Sequence, residues 1–185
     1  MRTPLRLVAV ASAALLLPAC TVGTDPDSAP SDSTMDVQPS IVDGPPDLEA
    51  ARGNAAAWCA LVPPPLIAST LGMELSEPTA SFSADEVHCT YLPVAEGGLT
   101  IQVQFRLAQD QSSFTTFRAE SELPGVDTTE LSGVGDEAYY SSSEFGDVVT
   151  NTVTARKGSV VFIVGAPTPL PEVTDLVQQV LAKLV

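Results

Sequence analysis

Leu99-Thr100-Ile101-Gln102-Val103-Gln104-Phe105-Arg106-Leu107 alternates large apolar and mostly polar side chains without a break. Successive side chains of an extended chain point to opposite faces, so Gly98 to Leu107 reads as a strand with one apolar face and one polar face. Upstream, Glu86 to Pro93 alternates in the same way, with Val87, Cys89 and Tyr91 on one side. Ala95-Glu96-Gly97-Gly98 between the two supplies a turn, and the pair predicts an antiparallel hairpin.

Downstream, Gln109 to Glu122 carries Phe114 and Phe117 and closes at Pro124-Gly125, which predicts a helix packed on that sheet. Glu137 to Ser142, Val148 to Arg156 and Ser159 to Gly165 predict three further strands, separated by Phe145-Gly146-Asp147 and by Lys157-Gly158. The last of them, SVVFIVG, is almost continuously apolar and is expected in the middle of the sheet, covered on both faces. Leu170 to Val185 then sets Leu170, Val173, Val177, Val180, Leu181 and Leu184 on one stripe and turns Glu172, Asp175, Gln179 and Lys183 away, as a covering helix does. Ahead of the hairpin, Leu48 to Val62 is alanine-rich and predicts a helix with Trp58 and Leu61 in the core. Pro63-Pro64-Pro65 interrupts it and opens another through Leu66, Ile67 and Leu71 to Gly72. Hairpins mixed with helices indicate the α+β class, a single antiparallel sheet backed by helices.

The start of the chain has a different character. Arg2 and Arg6 precede Leu7 to Leu17, which is apolar apart from Ser12 and runs into Pro18-Ala19-Cys20. That is the three-part layout of a secretory signal, and its apolar part is roughly half the ~20 residues that a membrane-crossing helix needs. Leu17-Pro18-Ala19-Cys20 resembles the lipobox of bacterial lipoproteins. The resemblance implies a diacylglyceryl thioether on Cys20, cleavage after Ala19 and acylation of the new amino end. Two or more fatty chains hold a protein firmly where one is marginal, each buried methylene contributing ~0.8 kcal/mol. Thr21 to Leu48 contains Pro26, Pro30, Pro39, Pro45 and Pro46, a scatter of Ser, Thr and Asp, and no basic residue. Such a composition offers too few bulky apolar side chains to offset the entropy of ordering and predicts an extended tether. The expected organisation is a signal peptide over 1–19, a disordered acidic tether over 20–48 and one globular α+β domain over 49–185. The expected location is the outer face of the cell membrane, with the membrane itself as partner through the lipid on Cys20.

The side-chain charge of −15 becomes two units more negative once Arg2 and Arg6 leave with the signal. Nucleic acid and anionic headgroups are repelled by such a field, so no nucleic-acid partner is expected. With Cys20 assigned to lipid, Cys59 and Cys89 remain as an even pair in an oxidising compartment and are expected to be joined. His88 is the only histidine, and its neighbour Cys89 points to the opposite face of the strand, so no metal and no cofactor is expected.

The remaining motifs have structural readings. Gly133-Val134-Gly135-Asp136-Glu137 lacks the third glycine and the following helix of a nucleotide loop, and predicts a turn into a strand. Lys157-Gly158-Ser159 lacks the upstream glycine of a phosphate-binding loop, and no G-x-S-x-G occurs. Asp136 and Glu137, paired with Glu144 or Asp147, are the carboxylates available for calcium or acid–base work, but without the fixed ligand spacing of a calcium loop. Trp58, Tyr91, Tyr139 and Tyr140 would line a cleft only if they faced the same way, whereas alternate strand positions divide between core and solvent.

WCALVPPPLIASTLG (58–72), VHCTY (87–91), LSGVGDEAYY (131–140) and TVTARKGSVVFIVG (152–165), followed by the amphipathic closing stretch, together resemble actinobacterial lipoproteins that carry a cysteine-paired domain of unknown function. The similarity runs from Ala57 to Val185. It implies an α+β sandwich similar to the PsbP-like group, and it brings no enzymatic activity with it. The function expected is therefore a membrane-anchored, non-catalytic binding or accessory module of the cell envelope, with an envelope protein or a small apolar ligand as partner. The alternatives are a carrier of lipids or small apolar molecules, which requires a large enclosed apolar cavity, and an envelope hydrolase or transferase using carboxylates such as Asp136 or Glu137.

Overall fold

The computed structural model describes residues 48–122 and 126–184. The signal segment, Cys20, the tether up to residue 47 and the Pro124-Gly125 helix close lie outside the described residues. The elements run α1 Leu48–Gly53, α2 Ala55–Cys59, α3 Pro64–Leu71, β1 Thr79–Ser83, β2 Glu86–Tyr91, β3 Ile101–Arg106, α4 Gln111–Ser121, β4 Thr128–Glu130, β5 Glu137–Phe145, β6 Val148–Lys157, β7 Val160–Ala166 and α5 Leu170–Leu181. All seven strands form one antiparallel sheet in the order β1-β2-β3-β7-β6-β5-β4. The α+β architecture with a single antiparallel sheet flanked by helices is thus realised, and β7, the almost continuously apolar segment, is its central strand.

The strand registers carry apolar side chains straight across the sheet. Phe82, Val87, Phe105, Phe162, Ala155 and Ala138 follow one another as paired neighbours on six strands. Trp58 from α2 packs on Phe105 at 5.4 Å between ring centroids, and Phe105 on Phe162 at 4.9 Å. α5 closes this face with Val173, Leu176, Val177, Val180 and Leu181, all buried. Each large apolar side chain so removed from water contributes about 1.5–3 kcal/mol. The opposite face is covered by α4, whose Phe114 packs with Tyr139, Val161 and Ile163 in a second, smaller core.

Several expectations are corrected. The first helix is two, because Gly53 and Asn54 break it and α2 starts afresh at Ala55. The third helix starts as expected, with Pro63 at its cap, and Gly72 ends it in the left-handed region at φ 66°. Leu99 is not in β3. The chain after Tyr91 is drawn to residues 74–76 by Ser76 N–H to Leu92 O at 2.8 Å and Val94 N–H to Glu74 O at 3.1 Å. Pairing with β2 therefore begins at Ile101, and Leu99 is left 45 % exposed in the connection. Lys183 does not face away either: its ammonium donates to Leu61 O at 2.8 Å, and burial lowers its pKa. Gly135 has a second reason to be glycine besides φ 60°, since a Cβ there would sit 2.4 Å from Arg156 O.

Candidate functional site

Cys59 at the end of α2 and Cys89 in β2 are joined by a disulfide, with Cα atoms 5.5 Å apart. It pins the α2–α3 layer to the sheet, and both residues are buried. Tyr91 reinforces the same junction: its hydroxyl donates to Val62 O at 2.7 Å and lies 3.3 Å from Cys59 O, and burial raises its pKa, helped by Glu77.

The four aromatic residues do not meet in one cleft. Trp58 and Tyr91 are in the main core, Tyr139 is under α4, and Tyr140 is half-buried on the main-core face. Asp136 and Glu137 are occupied by Arg156, which reaches Glu137 Oε1 at 2.8 Å and Asp136 Oδ2 at 3.4 Å, while Gly158 N–H donates to Asp136 Oδ2 at 2.7 Å. Glu144 and Asp147 lie at the other end of β5, seven and ten residues further on. These carboxylates do not converge. His88 faces away from Cys89 and sits 3.2 Å from Glu86, which also holds Arg106 at 2.8 Å. No group of three or more candidate metal ligands occurs among the described residues.

The unusual surface is at one end of the sheet. β7 stops at Ala166, opposite Asn151, and β4 reaches only to Ser141, yet β5 and β6 continue to the pair Phe145 and Val148. Beyond Ser142 and Asn151 the hairpin is thus a two-stranded arm, with no third strand beside it among the described residues. Phe145 at its tip is 91 % exposed, and Val148 and Val149 are exposed with it. The β2–β3 connection ends at the same level of the sheet and exposes Leu92, Val94 (66 %) and Leu99. The strand directions require this coincidence, since β2 runs towards that end and β3 away from it, as β5 and β6 do. Among the described residues, all six exposed large apolar side chains belong to these two segments. Three strand spacings separate β3 from β5, about 14 Å.

Charge follows the same axis. Arg106 and Arg156 sit at the opposite end, each engaged by acids, and Lys157 there donates to Leu181 O at 3.1 Å. Asp110, the cap of α4, is at that end too, its carboxyl held below the usual range by the backbone N–H and the hydroxyl of Ser113. The arm end carries Glu74, Glu96, Glu144 and Asp147, all exposed, and no lysine or arginine occurs in residues 73–105 or 119–155. None of these four acids is in an ion pair among the described residues.

Concavities elsewhere open to solvent. One of about 320 Å³ lies beside α4, lined by Arg106, Gln109, Thr116 and Glu120; another of about 330 Å³ lies by Gly133, Asp136 and Lys157; a third of about 250 Å³ lies by Ala60, Pro63 and Pro78. Sequence reasoning took Phe145 as part of a turn and Leu99 as core, and so missed the arm end. The available signal was an aromatic residue inside a glycine-acid turn followed by two valines, Phe145-Gly146-Asp147-Val148-Val149. Comparison of the chain with protein-family models, curated proteins and solved structures finds no match.

Proposed function

We propose that the protein is an envelope lipoprotein, synthesised with a signal over 1–19, anchored by lipid on Cys20 to the outer face of the cell membrane and spaced from it by residues 20–48. There it acts as a non-catalytic binding or accessory module. The observation that carries this reading is the placement of every exposed large apolar side chain of the described residues at one end of the sheet, on the arm and on the β2–β3 connection. Monomeric soluble proteins seldom leave apolar groups gathered in this way unless something covers them. In α1, Arg52 lies over Phe82, which pairs with Val87 towards the end of the sheet away from the arm. The Cys59–Cys89 disulfide suits an oxidising compartment. Asp136 and Glu137, committed to Arg156, favour binding over acid–base work. The sheet with helices on both faces is read as a relative of the PsbP-like sandwich.

In-cell cross-linking tests this. A photoreactive residue in place of Phe145 is expected to yield a discrete cross-linked envelope species, and the same residue in place of Asp175, on the exposed side of α5, is expected to yield none. Equal cross-linking from both positions, or none from either, would contradict the reading.

A further inference from the structure

We infer that the arm end receives an extended segment of another envelope protein in which apolar and cationic residues alternate. This rests on the binding reading above. The arm presents two different faces, because neighbouring strand residues point to opposite sides. Phe145 and Val148 are a cross-strand pair on one face, and Glu144 and Val149 on the other, with Asp147 in the turn. An extended chain laid along the β5 edge meets the Glu144 carboxylate and, at the next position and on the opposite face, the Phe145 ring. Among the described residues no strand neighbours the edges of the arm beyond Ser142 and Asn151, the setting in which recognition by strand addition occurs. Leu92, Val94 and Leu99, with Glu96 and Glu74, repeat the apolar and acidic combination on the β2–β3 connection at the same end of the sheet.

Charge selects among possible occupants. A bilayer with anionic headgroups would meet Glu96, Glu144 and Asp147 on its approach, with no lysine or arginine in the arm or the connection to compensate. A second copy docking arm to arm would bring the same acids together. A segment carrying lysine or arginine between apolar residues satisfies both features of the surface.

The test uses the full-length protein already anchored in neutral phosphatidylcholine vesicles and three probes: a decapeptide alternating lysine and valine, its glutamate–valine counterpart, and separate vesicles of phosphatidylglycerol. The lysine peptide is expected to bind and to slow amide exchange in residues 92–100 and 142–150, with affinity falling as salt rises. Replacing Glu96, Glu144 and Asp147 together by Gln, Gln and Asn is expected to weaken it about tenfold, while Asp175→Asn leaves it unchanged. Phe145→Ser is expected to weaken it as well. Equal binding of the glutamate peptide, or indifference to the triple substitution, would overturn the inference. So would vesicle binding through Phe145, or a dimer lost on Phe145→Ser, without peptide binding. If residue 145 still cross-links in cells, those results leave the binding reading standing; absence of cross-links removes both.

Discussion

Tyr91 shows how much one side chain can organise. Its ring fills the core, and its hydroxyl satisfies the carbonyl of Val62, the residue before the proline run that starts α3. Tyr91→Phe keeps the ring and strands that carbonyl, so we expect a loss of about 1–2 kcal/mol in urea unfolding. The pH dependence has a definite sign. The folded form keeps the Tyr91 proton where the unfolded chain releases it, because burial raises the folded pKa. Its contribution is therefore complete below about pH 10 and declines above it, and the Phe variant should lack that alkaline decline. At this scale the sequence was informative wherever a residue's neighbours were local. Val87, Cys89 and Tyr91 were placed in the core by alternation alone and are buried. Leu99 obeyed the same alternation and is exposed, because its fate depended on the diversion of residues 92–94 to residues 74–76, which no local pattern records.

Among the elements, those with strong periodicity were readable: β2, β3, β5, β6, β7, α3, α4 and α5 lie close to their expected spans. β1 escaped because Thr79-Ala80-Ser81-Phe82-Ser83 has only one large apolar residue, and β4 because three residues give no period. Both are edge strands, held by neighbours rather than by their own pattern. The split between α1 and α2 has a local cause in Gly53 and Asn54, which alanine richness outweighed in the reading. The disulfide between α2 and β2 closes a separation of 30 residues. Loop entropy assigns it about 3–4 kcal/mol, so the paired Cys59→Ala, Cys89→Ala variant should unfold at correspondingly lower denaturant concentration, with the m-value checking that the same surface is exposed. A variant as stable as the parent would mean that Trp58, Val62 and Tyr91 hold the junction unaided.

On the scale of the molecule, the sheet has two unlike ends. At one, Arg106 and Arg156 neutralise acids and α4 starts on its Asp110 cap; at the other lie the exposed apolar side chains and acids that make no ion pair among the described residues. The fold class was legible because element order and periodicity suffice for it. The candidate site was not, because it arises from strands of unequal length, and strand length is set by where partners end rather than by the strand's own sequence. Thiol labelling in intact cells tests outward display and occupancy of the arm together. With Phe145→Cys and Asp175→Cys variants and a membrane-impermeant maleimide, both positions should label in cells, residue 145 several-fold more slowly than in the purified protein and residue 175 at an unchanged rate. Equal rates for residue 145 inside and outside the envelope, or protection of both positions until the membrane is opened, would contradict the account.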